Sequence, residues 1–227
     1  MKILCVADHI DPLVYSAAIK QRFGDVDLVL GAGDLPMEYL GFIASSLNTP
    51  VGFVFGNHNL KRLALFTRRR GPAYEELGAE AQTRNYFGST CLEDRVRKIK
   101  GLLIAGLGGS MRYNDGDHQF TDFQMRLRMI RLMPRLLWNR IVHGRYLDIL
   151  LTHAAPRGIH DKEDLCHLGF SSLLWFMRTF RPRYLLHGHI HLYDLNANRR
   201  TRYRDTCVIN VYDHFVLNYG DNDEGSD

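Results

Sequence analysis

The sequence contains few cysteines and no long hydrophobic segment. Its four cysteines are scattered and form no C-x-x-C pair, which predicts reduced thiols rather than a disulfide framework or a structural zinc motif. A transmembrane helix needs about 18 consecutive apolar residues, and no stretch of the sequence is that long. The apolar run after Lys2 is also too short for the core of a signal peptide. These absences favour a cytoplasmic protein with no membrane partner.

The sequence also has little excess of one sign of charge, with 29 basic Lys and Arg residues against 25 acidic ones. The formal net charge of +4 is mild and does not by itself indicate a nucleic-acid or membrane partner. Hydrophobic residues make up 45% and charged residues 24% of the 227 positions, as in ordinary globular proteins. We expect a single domain over residues 1–219 and a disordered acidic tail over residues 220–227. Composition does not determine the oligomeric state.

The N-terminal third alternates short apolar runs with helical segments. Residues 2–7, "VDLVLGAGD" and "PVGFVFGN" predict buried strands, with helices over residues 12–24 and 36–47 between them. This β-α-β-α-β order is typical of a parallel sheet with right-handed crossovers. Residues 60–88, which include arginines 68–70, predict loops or short helices.

Further strands are predicted in the rest of the chain. "RVRKIKGLLIAGLGGS" predicts an antiparallel pair, and "YLDILLTHAAP" and "RYLLHGHIH" predict buried strands. The segment "SLLWFMRTF" predicts a helix, and "DTCVINVYDHFVLNY" predicts a closing hairpin.

Residues 122–142 form the clearest amphipathic helix, and Pro134 is expected to break or kink it. One side of this helix carries Phe123, Leu127, Ile130 and Leu137. Most of its arginines alternate with that apolar stripe, so the pattern favours a solvated helix face over a nucleic-acid groove.

Polar residues end five of the predicted strands. They are Asp8, Asp34, the pair Asn57 and His58, His153, and the pair His189 and His191. Ligands of open α/β sheets bind at the carboxyl ends of the strands. Carboxylate, amide and imidazole donors suit Mn, Fe, Zn, Ni or Co, and the two oxygens of Asp34 would allow it to bridge two ions about 3.5–4 Å apart.

These motifs resemble those of the calcineurin-like metallophosphoesterases, whose pattern runs D-x-H, GD, GNH-[DE], H and GH-x-H. The matching segments, spread over residues 2–212, are "AD", "GAGD", "GNHN", "LLTHAAP" and "LLHGHIH". The resemblance implies an α/β fold, a four-layer αββα sandwich of two mixed β-sheets flanked by helices. It also implies two divalent metal ions as cofactors, with manganese first and Fe, Zn, Ni or Co as alternatives.

The resemblance also assigns roles by position. The first metal site would take Asp8, Asp34 and His191, and the second would take Asp34, Asn57, His153 and His189. His58 would contact the phosphate and protonate the leaving group, with Asn57 helping to hold the phosphate. The implied function is hydrolysis of a small phosphodiester, or a phosphomonoester, by a metal-bound hydroxide. The alternatives are a nuclease, which composition does not favour, and a catalytically degraded scaffold for protein partners.

The first motif departs from the family pattern, because Ile10 stands where D-x-H has its histidine. Asp11 is the better substitute ligand, since residue 11 returns towards Asp8 in a turn whereas His9 points away in an extended chain. An acidic substitute would favour Mn or Mg over Zn. The alternative is that Asp11 only caps a helix that begins at Pro12.

A second departure follows the third motif. Asn59 replaces the acidic residue that commonly follows the histidine, so it would orient His58 without stabilising its charge.

Residues in two loops are candidates for contact with substrate. Arg112 and Arg157 would grip a phosphate with a bidentate guanidinium, and His160 would be a further proton carrier. The alternative is that these are surface arginines and a capping histidine.

Overall fold

The computed structural model describes residues 1–58, 60, 63, 85–86, 88–193 and 198–220. Asn59, the arginines at 68–70 and the tail from residue 221 onwards lie outside the described residues, as does most of the segment predicted to form loops or short helices.

Within these ranges the chain forms fourteen strands and four helices. The strands are β1 (Lys2–Ala7), β2 (Leu28–Gly31), β3 (Val51–Phe53), β4 (Asn85–Tyr86), β5 (Ser89–Cys91), β6 (Arg95–Ile99), β7 (Leu102–Leu107), β8 (Ser110–Met111), β9 (Gln119–Phe120), β10 (Ile149–Thr152), β11 (Tyr184–His187), β12 (Arg200–Tyr203), β13 (Thr206–Asn210) and β14 (Asp213–Asn218). The helices are α1 (Ile19–Phe23), α2 (Met37–Leu47), α3 (Asp122–His143) and α4 (Ser171–Phe180).

Twelve of the strands form two six-stranded mixed sheets. The first has the order β14-β1-β2-β3-β5-β4 and the second the order β12-β13-β11-β10-β7-β6, while β8 and β9 pair separately. Strands β1, β2 and β3 are parallel, as the βαβ pattern predicts, and β6 and β7 form the predicted antiparallel pair.

Apolar side chains fill three spaces between these layers. Ile3 and Leu30 of the first sheet pack in one cluster with Ile104, Leu151 and Ile209 of the second, so the sheets face each other. A second cluster joins the first sheet to α1 and α2, and a third joins the second sheet to α3 and α4. The predicted four-layer sandwich is therefore confirmed, and each fully buried Ile or Leu side chain contributes about 1.5–3 kcal/mol to it.

The predicted closing hairpin is wrong. Strand β13 pairs with β11 and β12 in the second sheet, whereas β14 pairs antiparallel with β1 in the first, with Lys2 opposite Asn218. Two strands joined by a short connection look alike in sequence whether they pair or separate. The chain crosses between the sheets here because β13 pairs with strands of the second sheet and β14 pairs with β1 of the first.

The helix predicted to start at Pro12 is also wrong. Asp11 begins a single turn in which its carbonyl accepts bonds from the amides of Val14 and Tyr15. The amide of Ser16 then bonds to the Val14 carbonyl, which departs from the helical pattern, and α1 begins only at Ile19.

Helix α3 is longer than predicted by one residue and turns a different face to the sheet. It runs through Pro134 without a break, and Thr121 and Gln124 form a capping box at its start. Its buried face carries Met125, Met129, Leu132 and Leu136, while the stripe noted in the sequence is exposed. Both faces are apolar, so the periodicity alone does not indicate which one meets the sheet.

Candidate metal centre

The carboxyl ends of strands from both sheets meet at one edge of the sandwich. Asn57 follows β3 of the first sheet and His153 follows β10 of the second, yet His153 Nε2 lies 3.1 Å from Asn57 Oδ1. The same nitrogen lies 3.4 Å from Asp34 Oδ2, and the His153 ring is fully buried. The strand-end motifs of the sequence are thus brought to one place.

The backbone at this edge is held in the left-handed region. Asp8, Asp34 and His189 have φ values of 67°, 58° and 66°, an uncommon conformation that clusters at functional sites in proteins. Gly33 has a φ of 100°, and a Cβ there would lie 2.5 Å from His153 Nδ1. A Cβ at Gly56 would overlap the Asp34 carboxylate. The glycines of the GD and GN motifs are therefore required for this approach of strand ends.

Backbone carbonyls orient two of the imidazoles. His153 Nδ1 donates to the Ala32 carbonyl at 2.8 Å, and His189 Nε2 donates to the Cys166 carbonyl at 2.7 Å. Since a carbonyl only accepts, these two nitrogens carry protons, and the other ring nitrogen of each histidine would present a lone pair to a metal ion once it is deprotonated. Histidines that bind metals typically donate their second nitrogen in this way.

The electrostatics of the cluster favour added positive charge. Burial disfavours the protonated form of His153, but the Asp34 and Asp8 carboxylates outweigh burial and raise the His153 pKa to about 9. Burial, partly offset by His153, raises the pKa of Asp8 to about 7. The pKa of Asp34 is lowered, because His153 and the His58 amide outweigh the effect of burial. A divalent cation would neutralise this concentration of carboxylates.

The donor atoms of Asp34, His153 and His189 all lie within 4.8 Å of one another. Together with Asn57 Oδ1, they supply two imidazole nitrogens and two oxygens, a set suited to borderline divalent metals. The residues assigned to the second metal site therefore fit a metal ion in both chemistry and proximity.

The residues assigned to the first site are placed differently. Both oxygens of Asp8 lie 2.9 Å from the His189 amide, which donates to them, and the His191 ring lies 4.7 Å from the Tyr212 ring, centroid to centroid. His191 Nδ1 is 3.3 Å from the Tyr193 hydroxyl, and burial lowers the His191 pKa.

Asp11 is buried and already engaged. Its Oδ1 accepts the Leu13 amide at 2.7 Å, and its Oδ2 contacts His214 Nδ1. His9 is exposed, and its Nδ1 lies 2.8 Å from Asp213 Oδ1. Asp11 thus caps a turn rather than a helix and links this turn to β14.

The three residues predicted to contact substrate occupy different environments. Arg112 is exposed and donates to Gln124 Oε1 at 3.4 Å. Arg157 pairs with Asp161 and Glu163, each at 2.9 Å.

His160 is the third of these residues. Its Nδ1 lies 3.0 Å from His187 Nε2, and its Nε2 lies 2.9 Å from the Thr201 hydroxyl. These contacts hold His160 against β12 and against β11, the strand that leads into the GHIH turn.

Sequence reasoning missed two direct supports of the site. The Tyr113 hydroxyl accepts a hydrogen bond from Asn57 Nδ2 at 3.2 Å, and the Cys166 carbonyl orients His189 as described above. Both belong to loops that follow glycine-rich or histidine-bearing segments, "GLGGSMRYN" and "CHLGF". The loops were visible in the sequence, but their individual contacts were not.

A buried ionic network lies behind the segment that carries Asn57. Glu93 accepts the Phe55 amide at 3.1 Å and the Gly108 amide at 3.0 Å, and it contacts the Arg128 guanidinium. His118 Nδ1 lies 2.6 Å from the Gly56 carbonyl. No sequence motif marks Glu93, His118 or Arg128, whose contacts with one another and with the Gly56 segment arise only in the folded chain.

The family model described as calcineurin-like phosphoesterase matches residues 1–193, most of the chain. The chain belongs to the calcineurin-like phosphoesterase family. This membership agrees with the order of the strand-end motifs and with the two packed mixed sheets.

Solved structures similar to this family member show the same fold. One crystal structure matches with a TM-score of 0.63 and 13% identity, covering 95% of this chain and 94% of that chain. The TT1561 protein of Thermus thermophilus matches with a TM-score of 0.56 and 15% identity, covering 93% of this chain and 89% of its own. At such identities the likeness concerns the fold alone. No curated protein matches the sequence. Among the described residues, no helix is both long and apolar enough to span a bilayer.

Proposed function

We propose that this calcineurin-like phosphoesterase is a hydrolase that acts on a small phosphodiester, with a phosphomonoester as the second choice, through a pair of divalent metal ions. The observation that carries the proposal is the convergence of Asp34, Asn57 and His153 from both sheets. The proposal keeps manganese first and Fe, Zn, Ni or Co as alternatives, since mixed oxygen and imidazole donors suit these divalent metals.

The proposed second metal site consists of Asp34, Asn57, His153 and His189. The proposed first site consists of Asp8, Asp34 and His191. The two Asp11 oxygens already contact the Leu13 amide and His214, and these contacts favour a structural role over the predicted ligand role. When bound, the metal ions would neutralise charge on the phosphate and lower the pKa of a bound water molecule.

The chain's own residues would orient the substrate and move the leaving-group proton. Asn57 would present its oxygen in a fixed direction because its amide nitrogen donates to Tyr113. His58 is exposed at the site edge, with its amide bonded to Asp34 Oδ1 at 2.7 Å, and would protonate the departing oxygen. Arg112, which pairs with no carboxylate among the described residues, would bind a phosphate oxygen, whereas Arg157 would first have to leave its two carboxylates.

The rival proposal is a scaffold that has lost catalysis, and Ile10 supports it. This residue stands at the position of a family ligand, and its aliphatic side chain has no donor atom to offer a metal. The oriented imidazoles of His153 and His189 support the enzyme instead, since a scaffold would gain nothing from their alignment.

Metal analysis combined with ester hydrolysis tests the proposal. The purified chain with added manganese should bind two equivalents of metal and hydrolyse bis-p-nitrophenyl phosphate faster than p-nitrophenyl phosphate. His153→Gln should lose metal and activity, whereas the matched control His143→Gln, at the end of α3, should keep both. If two equivalents never bind and neither ester is hydrolysed, the scaffold proposal replaces the enzyme. Oligonucleotide binding that falls steeply with salt would favour a nuclease.

A further inference from the structure

Helix α3 carries an exposed apolar stripe on the side opposite the sheet. Its members recur at alternating intervals of four and three residues along the helix, and they are Phe123, Leu127, Ile130, Pro134, Leu137 and Ile141. Phe123 is 69% and Ile141 79% exposed, and the neighbouring Trp138 is 56% exposed. A monomeric soluble protein rarely leaves so continuous an apolar row in water.

Arginines border this stripe on both sides. Counting 100° per residue, Arg126 and Arg140 lie along one edge of the stripe, and Arg131 and Arg135 along the other. All four are exposed, and none forms an ion pair with a carboxylate among the described residues. Arg126 instead lies over the Trp175 ring of α4 at 5.0 Å.

We propose that this face of α3 docks the protein on an anionic lipid bilayer surface. A helix of 22 residues is about 33 Å long and presents the stripe and both arginine rows to one plane. Helices that lie in the membrane interface combine a row of Phe, Leu and Trp with basic flanks, which contact the lipid phosphates while the apolar row enters the acyl boundary. The docking concerns the outer surface of the sandwich and does not depend on the proposed enzymatic function.

Charge complementarity favours this occupant over a second copy of the chain. In a symmetric contact between two α3 helices, the arginine rows would meet each other. The helix has a single acidic residue, Asp122, and its Oδ1 already accepts the Ser172 amide. An acidic helix of another protein would match the charge. However, a single partner helix is narrow and would contact the stripe and only one arginine row. A bilayer surface is broad enough to contact both arginine rows at once.

Vesicle cosedimentation tests the proposal. The wild-type chain should sediment with vesicles of phosphatidylcholine and phosphatidylglycerol at low salt, and much less with phosphatidylcholine alone. Arg131→Gln should weaken binding about fivefold, the expected share of one interfacial arginine. The combined change Ile130→Ser and Ile141→Ser should weaken it about tenfold or more. Lys20→Gln, an equal charge change on α1, should bind as the wild type does.

Tryptophan fluorescence gives a readout that needs no change to the stripe. The chain has two tryptophans, so Trp175→Phe leaves Trp138 as the single reporter. Its emission should shift to the blue on addition of the anionic vesicles.

Absence of both sedimentation and shift with the wild-type stripe would overturn the proposal. Binding that is unaffected by the two serine substitutions would overturn it as well. A stable dimer that those substitutions dissociate, without vesicle binding, would assign the stripe to a second copy. Capture of an acidic helical protein without vesicle binding would assign it to that partner.

Discussion

His153 Nε2 lies 3.1 Å from Asn57 Oδ1, although the residues are 96 positions apart and follow strands of different sheets. Their contact exists only because the sheets are packed face to face, with the strand ends that precede Asn57 and His153 at the same edge. The first sheet supplies oxygen donors to the cluster and the second supplies imidazoles. Rigid packing of the inter-sheet core therefore maintains the geometry of the candidate metal centre.

Gly33→Ala should disrupt this centre. The added Cβ would sit 2.5 Å from His153 Nδ1 at a φ of 100°, so we expect a loss of more than about 3 kcal/mol in unfolding free energy, together with lost metal binding. Gly144→Ala is the matched control, since Gly144 also has a positive φ, of 70°, but its Cβ would meet nothing within 4 Å. It should lose only about 1–2 kcal/mol and keep metal binding. Equal effects of the two changes in urea denaturation and metal titration would contradict this account of Gly33.

Tyr113→Phe should weaken metal binding with little effect on the fold. The change removes the hydroxyl that accepts from Asn57 Nδ2 and so frees the amide to rotate. We expect metal affinity to fall about tenfold, as for other residues that orient a ligand, and the unfolding free energy to fall by about 1 kcal/mol. Tyr15→Phe, on an exposed turn remote in sequence from this loop, serves as the control. Unchanged manganese affinity in calorimetric titration would mean that Asn57 needs no support from Tyr113.

Asp11→Ala separates a structural carboxylate from a ligand. Because both oxygens of Asp11 have partners in the turn and in β14, we expect a loss of about 1–3 kcal/mol in unfolding free energy with both metal equivalents retained. Thermal unfolding and metal analysis of the same preparation measure the two effects. Loss of one metal equivalent at nearly unchanged stability would instead establish the ligand role predicted from sequence.

Glu93→Gln should change the pH dependence of stability. Burial disfavours the Glu93 carboxylate, but Arg128 and His118 outweigh burial and lower its pKa below the ordinary value of about 4.3. Its contribution to stability is therefore fully present above about pH 4.3 and is lost as the pH falls through the lowered pKa.

The variant also leaves Arg128 with the Asp94 carboxylate, 2.8 Å from its Nε, as its remaining ionic partner among the described residues, so it should be less stable than the wild type by about 2 kcal/mol at neutral pH. That difference should narrow in urea titrations carried out below about pH 4.3. Asp115→Asn, at an exposed position, is the control. A difference that stays constant down to acid pH would show that Glu93 does not act through its charge.

The parts of the site that follow strand ends were predictable from the sequence. A short apolar run that ends in Asp, Asn or His specifies both a buried strand and a donor at its carboxyl end. Parallel pairing then places such ends along one edge. For this reason the sequence alone identifies Asp34, Asn57, His153 and His189 as candidate ligands.

The sequence by itself determined the family, the alternation of strands and helices, and the candidate donors at the carboxyl ends of the strands. The tertiary structure alone decided that β13 and β14 separate into different sheets and that Asp11 meets His214, 203 positions away. It also decided which apolar face of α3 is buried and which, with its arginines, faces outwards. Hydrophobic periodicity and helix capping depend on residues a few positions apart. These outcomes depend instead on which apolar surfaces, distant in sequence, pack against each other in the folded chain.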